Sequence, residues 1–118
     1  MTSVYKSANG RRQVRDWCAS RIDAWEVAHR CWEVPTVAGI TSVVSAGPEP
    51  AGGEPSVVLV PGTNMNAAVC LGMAKLLAAR RHTVVLDVPG QPGLSADWRP
   101  RPRRTAWYGQ WLTSTSAK

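Results

Sequence analysis

The sequence predicts an α/β protein in which a parallel β-α-β unit is joined to an N-terminal amphipathic helix. Three features carry this expectation. Residues 56–60 (Ser-Val-Val-Leu-Val) and 83–88 (Thr-Val-Val-Leu-Asp-Val) are nearly unbroken apolar runs, as in strands buried on both faces of a parallel sheet. Between them, Ala67, Ala68, Val69, Leu71, Met73, Ala74, Leu76, Leu77 and Ala78 fit a helix. Strand, helix and strand in that order make a right-handed crossover with parallel pairing. Upstream, Val14, Trp17, Cys18, Ile22, Trp25, Ala28, His29 and Trp32 recur at steps of three and four, which is the apolar stripe of a helix.

A chain of 118 residues with 44% hydrophobic content suits one domain with a modest core and excludes a disordered chain. The expected layout is an N-terminal helix over 1–35, strands and the β-α-β core over 36–96, and a basic Pro-rich loop, short helix and polar tail over 97–118. Six Trp and two Tyr stand against no Phe, and the Trp residues fall into an early group and a late group. The odd set Cys18, Cys31 and Cys70 contains no C-x-x-C pair, so reduced thiols are expected rather than disulfides or a metal site. No apolar run is long enough to span a membrane and no secretory h-region opens the chain, so the expected location is the cytoplasm. A net charge of +6 raises a nucleic-acid partner, but the basic clusters (Arg11, Arg12, Arg15; Arg80, Arg81, His82; Arg99, Arg101, Arg103, Arg104) match no nucleic-acid motif. Solvated charge is the expectation for all three, with neither a nucleic-acid nor a membrane partner.

Each element follows from local chemistry. Asn9-Gly10 serves as the entry turn of the first helix, and Val34-Pro35 ends it, because the residue before proline is pushed out of the helical region. Residues 36–45, rich in Thr, Val and Ile, read as one bent strand or a tight hairpin with Gly39 near a bulge. Residues 46–55 are Gly- and Pro-rich and form a loop. Pro61-Gly62 breaks the next strand, Asn66 is a candidate N-cap for the crossover helix, and Arg80-Arg81 closes that helix. After the second strand comes the turn at 89–95, then the basic Pro loop, and residues 105–112 begin another helix carrying Trp107, Tyr108 and Trp111 on one side.

Sites in parallel α/β sheets form at the carboxyl ends of the strands, which places the candidate site on the loops at 61–66 and 87–95. Gly62 allows a sharp turn, and amides near a helix N-terminus suit an oxyanion or a phosphate. Neither a phosphate P-loop nor the G-x-G-x-x-G dinucleotide fingerprint is present, so no cofactor is expected.

The stretch Val57-Val-Leu-Val-Pro-Gly-Thr-Asn-Met-Asn66 resembles the third strand and oxyanion loop of the α/β-hydrolase fold family, where the turn is usually His-Gly plus a residue whose amide binds the oxyanion. Asp87-Val-Pro-Gly-Gln-Pro-Gly-Leu-Ser95 is similar to the D-x-P-G-x-G-x-S turn after the fourth strand of esterase-like and haloperoxidase-like members. The likeness runs from about residue 5 to residue 112. It implies a partial α/β-hydrolase fold, with Thr63 and its neighbour Asn64 as oxyanion-hole candidates and Gly62, Asp87, Gly90 and Gly93 shaping the two loops. Pro61 stands where His is usual, and Pro92 makes the Asp87 turn one residue longer than the common spacing.

Family members carry the nucleophile on a later G-x-S-x-G elbow, followed by the acid and the His. This sequence has no such elbow, and His29 and His82 come too early to be the triad base. The resemblance therefore implies an incomplete domain truncated before the nucleophile, through an early stop, a frameshift or a shortened chain. The intact relative would hydrolyse a small-molecule ester or amide; this chain would have no triad. A non-catalytic interaction module is the alternative, and a basic nucleic-acid binder a third. The strand at 83–88 is expected to border the missing fifth strand, leaving a sheet edge open to self-association.

Overall fold

Ser7 starts the first helix: its backbone is extended and its hydroxyl accepts the Gly10 N–H at 3.0 Å, satisfying a donor that the first turn leaves unpaired. The computed structural model describes residues 2–62, 65–99, 110–113 and 115. Helix α1 spans Ala8–Asp23, so Asn9 and Gly10 lie inside its first turn rather than before it. It also ends earlier than the Trp periodicity predicts. From His29 the chain is strand β2 (His29–Thr36), which pairs antiparallel with β3 (Gly39–Ala46). The hairpin reading of Gly39 is therefore the right alternative, but the strand it turns back on is the stretch assigned to the helix. Thr36 Oγ1 donates to the Gly39 carbonyl at 2.7 Å and accepts the Ala38 N–H, and Gly39 takes φ 101°, a backbone region that favours glycine. Pro35 sits within β2 rather than ending a helix, as an edge strand permits.

Strand β4 (Val57–Leu59), a 3₁₀ turn (Ala67–Val69), helix α2 (Leu71–Ala78) and strand β5 (Thr83–Leu86) make up the expected crossover. β4 and β5 lie side by side in the same direction, Val57 opposite Thr83 and Leu59 opposite Val85. Asn66 Oδ1 accepts the Val69 N–H at 3.2 Å and caps the 3₁₀ turn; α2 begins only after it. The four-stranded sheet has the order β2-β3-β5-β4, with one parallel pair in an otherwise antiparallel arrangement, and the fold is mixed α/β. The free edge is not where the sequence placed it. β5 is flanked by β3 on one side and β4 on the other, so the open edges are β2 and β4. A β-α-β pattern fixes that two strands are parallel, not which of them has a further neighbour. A second small sheet pairs β1 (Thr2–Ser3) with β6 (Trp98–Arg99) and brings the chain start to the end of the 87–97 loop.

Both helices pack on one face of the sheet. Cys18 and Ile22 of α1 and Leu71, Ala74 and Ala78 of α2 share a core with Val44, Ala46 and Val85. Trp17, expected in this stripe, is instead 47% exposed, with the Arg21 guanidinium 5.5 Å from its ring centre. The opposite face carries Val34, Val43, Leu86 and Val88 and is covered in part by Trp111 of a short helical stretch at 110–113. Trp111 is buried, and its Nε1–H donates to Thr41 Oγ1 at 2.8 Å. Trp107, Tyr108 and the arginines at 101, 103 and 104 lie outside the described residues.

Candidate functional site

Because β4 and β5 run in parallel, the loops that follow them emerge at the same end of the sheet. The first passes through buried Pro61 and exposed Gly62 to Asn66; the second begins at Asp87, directly after β5. Asp87 joins them. It is 2% exposed, and its two carboxylate oxygens accept from opposite sides: Oδ1 from the Ala67 N–H at 2.5 Å, Oδ2 from the Leu94 N–H at 2.8 Å. One side chain thus fixes the start of the 3₁₀ turn and the far limb of its own loop. Burial pushes the Asp87 carboxyl above its ordinary value, while the hydrogen bonds from Leu94 and Ala67 and the charge of Arg15 oppose that rise.

The second loop is tied on every side. Ser95 Oγ donates to the Asp87 carbonyl at 2.6 Å and accepts the Ser42 N–H at 2.7 Å, locking the loop to β3. Arg15 of α1 donates to the carbonyls of Leu94 and Ser95, at 3.1 and 3.2 Å. The Tyr5 hydroxyl accepts the Gly93 N–H at 3.0 Å and lies 3.3 Å from the Gly93 carbonyl, to which it donates. Asp97 accepts from Ser3 and pairs with Arg11 at 3.2 Å. The charge of Arg11 and Arg15, expected to be solvated, is therefore partly structural. Asn66 makes the last link: its Nδ2 donates to the Pro92 carbonyl at 3.1 Å while its Oδ1 caps the 3₁₀ turn. The residue that lengthens the Asp87 turn thus supplies the acceptor that holds the first loop.

The glycines play unequal parts. A Cβ on Gly93 would stand 2.7 Å from Asp87 Oδ2 and 3.0 Å from Asn66 Cβ, so the two loops meet there because a hydrogen is all that intervenes. Gly90 has φ 83°, and its N–H donates to the Ala96 carbonyl at 2.8 Å. Gly62 does neither: it does not lie at positive φ, and an added Cβ would make ordinary contact with Met65 Sδ at 3.6 Å. Thr63 and Asn64, the oxyanion-hole candidates, lie outside the described residues; the flanking Met65 N–H donates to the Gly62 carbonyl at 3.0 Å.

No described group completes a nucleophile-base pair at this end of the sheet. His29 is paired opposite Ala46, and His82 precedes β5, so both stand at the other end. His82 Nδ1 lies 2.9 Å from Ser56 Oγ, and both histidines line a cavity of about 230 Å³ with Gly47 and Glu49. Ser95 is close to Asp87 but only 1% exposed, with its hydroxyl committed on both sides. Cys18 is fully buried, and burial together with the negative charge of Asp87 pushes its thiol up to about 11. Among the described residues no group of three or more His, Cys, Asp or Glu gathers to hold a metal ion, and no helix is long and apolar enough to cross a membrane.

Tyr5, Arg15 and the double use of Asn66 were not read as site residues from the sequence. Asn66 had a signal, its cap position; Tyr5 and Arg15 act across 88 and about 80 residues, a separation no local pattern reports.

Neither a protein-family model nor a curated protein matches the chain. Solved structures do. Carboxylesterase CesB from Bacillus subtilis aligns at TM-score 0.77 and 17% identity, over 93% of this chain and 37% of its own. The naproxen esterase of the same organism aligns at 0.75 and 23%, over 96% and 38%. The Cif epoxide hydrolase from Acinetobacter nosocomialis aligns at 0.64 and 11%, over 98% and 35%. The chain spans less than two fifths of the length of these structures, and its fold is that of the N-terminal portion of an α/β-hydrolase.

Proposed function

We propose that this chain supplies the oxyanion-loop side of a serine-hydrolase site for ester or amide substrates, and that it has no triad-dependent turnover by itself. The observation that carries this reading is the Asp87 carboxylate, which holds the start of the 3₁₀ turn and the limb at Leu94 together where two parallel strands end. Backbone amides held in place as charge develops stabilise a tetrahedral intermediate, and the bond from Ala67 to Asp87 anchors the chain shortly after the candidate amides. In this reading Thr63 and Asn64 contribute those amides. The nucleophile, acid and base would come from polypeptide that follows this portion of the fold. The esterases among the matched structures support an ester substrate, although the fold itself serves many chemistries.

The test is p-nitrophenyl acetate hydrolysis together with fluorophosphonate labelling of the purified chain. Background hydrolysis and no labelled serine are expected. Stoichiometric labelling of any serine overturns the proposal.

A non-catalytic interaction module is the second reading, and the exposed apolar residues Val58, Met73 and Leu76 favour it.

A further inference from the structure

Apart from the loops at the strand ends, one hollow of the molecule is built from groups that the fold leaves unused. It lies between the later part of α1 and helix α2 and holds about 370 Å³. Trp17, Arg21, Trp25, Glu26, Leu71 and Lys75 are among its walls, and no residue of 61–66 or 87–95 takes part. Trp25 and Leu71 also belong to the core beneath, so the floor is apolar. Trp17 stands beside that floor with 47% of its surface open.

Its polar groups are donors without acceptors. The Arg21 guanidinium lies 5.5 Å from the Trp17 ring centre, and attraction to a ring leaves the N–H fork unspent. Among the described residues the guanidinium forms neither an ion pair nor a hydrogen bond. A cation in the last turn of α1 suits the helix dipole, but the dipole asks for no aromatic partner; the ring is what fixes the direction of this one. Trp25 is only 9% exposed, and a buried indole ordinarily finds a partner for its N–H. Here Nε1–H has no acceptor among the described residues and is not sealed from solvent, which leaves it open toward the hollow that Trp25 lines. The one carboxylate among the lining residues, Glu26, is already held by Lys75 at 2.8 Å. That pair is neutral, so Arg21 is the uncompensated charge.

We infer that this hollow is a binding site for a small organic anion with a flat apolar body, an aromatic carboxylate. The ring would lie along Trp17 over the floor of Trp25 and Leu71, and the carboxylate would take the Arg21 fork and the Trp25 N–H. Each part of the ligand answers a group on the wall: an inorganic anion leaves the indoles uncovered, a neutral arene leaves Arg21 unpaired, and a cation is repelled by it. Because the Trp17 stack already orients the guanidinium, little freedom is lost when the carboxylate arrives. The volume lies within the range of small-molecule sites, roughly 300–1,000 Å³. Nothing in this inference depends on the hydrolase reading.

The probe is cinnamate, with cinnamamide as its neutral twin, each titrated into the isotope-labelled chain at neutral pH. The indole N–H resonances of Trp17, Trp25 and Trp111 are followed by NMR, Trp111 serving as the reference because it is buried on the opposite face of the sheet. Cinnamate should shift Trp17 and Trp25 saturably and leave Trp111 in place, and it should bind more tightly than the amide. Arg21→Gln keeps the apolar walls and should weaken cinnamate by about tenfold or more, as expected for a lost charge-assisted pair, while leaving the amide unchanged. Trp17→Ala should weaken both probes. Arg12→Gln removes the same charge from an exposed position of α1 outside the hollow and should weaken neither. Any of three results overturns the inference: no saturable shift in the wild type, equal affinity for cinnamate and the amide, or a loss of cinnamate binding in Arg12→Gln as large as in Arg21→Gln.

Discussion

Replacing Asp87 with asparagine changes one atom group and leaves the side-chain shape almost intact. In the protein as it stands, one carboxylate oxygen accepts the Ala67 N–H and the other the Leu94 N–H. The asparagine has one oxygen and one NH₂, so it can satisfy either amide but must turn a donor toward the other. A buried N–H left without an acceptor costs about 1–3 kcal/mol. Asp87→Ala loses both acceptors and should cost roughly 2–6 kcal/mol, a large part of the 5–15 kcal/mol by which domains are stable. Urea unfolding followed by circular dichroism measures both, as a lowered midpoint at unchanged slope. The pH dependence supplies an independent sign. The Asp87 carboxyl titrates above its ordinary 3.8 in the folded protein, so the folded state holds that proton more tightly than the unfolded chain. Its contribution to stability is full below about pH 3.8 and is lost as pH rises through the folded pKa. The advantage of the wild type over Asp87→Asn should therefore be largest in acid and decline to a plateau toward neutrality. Midpoints of Asp87→Asn and Asp87→Ala equal to wild type at pH 7 would refute the bracing role.

Other perturbations probe neighbouring links. Gly93→Ala forces a methyl against Asp87 Oδ2 and Asn66 Cβ and should destabilise by about 1–3 kcal/mol in the same urea assay. Trp111→Phe removes the donor to Thr41 Oγ1 and part of the cover over Val43 and Leu86, a loss of about 1–3 kcal/mol visible as a lowered Tm. Cys18, fully buried with its thiol pushed up to about 11, should react with a disulfide reagent at pH 8 only when the chain unfolds, whereas exposed Cys31 reacts in the folded state.

The β-α-β unit was legible because its signals are local and redundant: continuous apolar strands, an Asn66 cap and a helix of the right length agree with one another. The end of α1 was not. His29 and Trp32 continue the three-and-four spacing of Trp17, Cys18, Ile22 and Trp25, so periodicity extends a helix through residues that are in fact β2. What decides the matter is pairing with β3, and β2 is an edge strand with Val34 as its only buried residue, so its alternation leaves little trace in the sequence. The position of β5 between β3 and β4 was hidden for a similar reason, since a crossover states direction but not neighbours. At the site, Asp87, Gly90 and Gly93 were named from the resemblance of the 87–95 stretch to a family turn. Tyr5 and Arg15 could not be named, because they reach the 87–97 loop from the far end of the sequence.

Site-resolved amide exchange at Ala67 and Leu94 tests most directly whether one buried carboxylate binds the two loops into a single rigid site. In the wild type both amides should exchange only through global unfolding, and in Asp87→Asn one of the two should open on its own. Exchange of either amide at the open-chain rate in the wild type, or unchanged protection of both in the variant, would contradict the account.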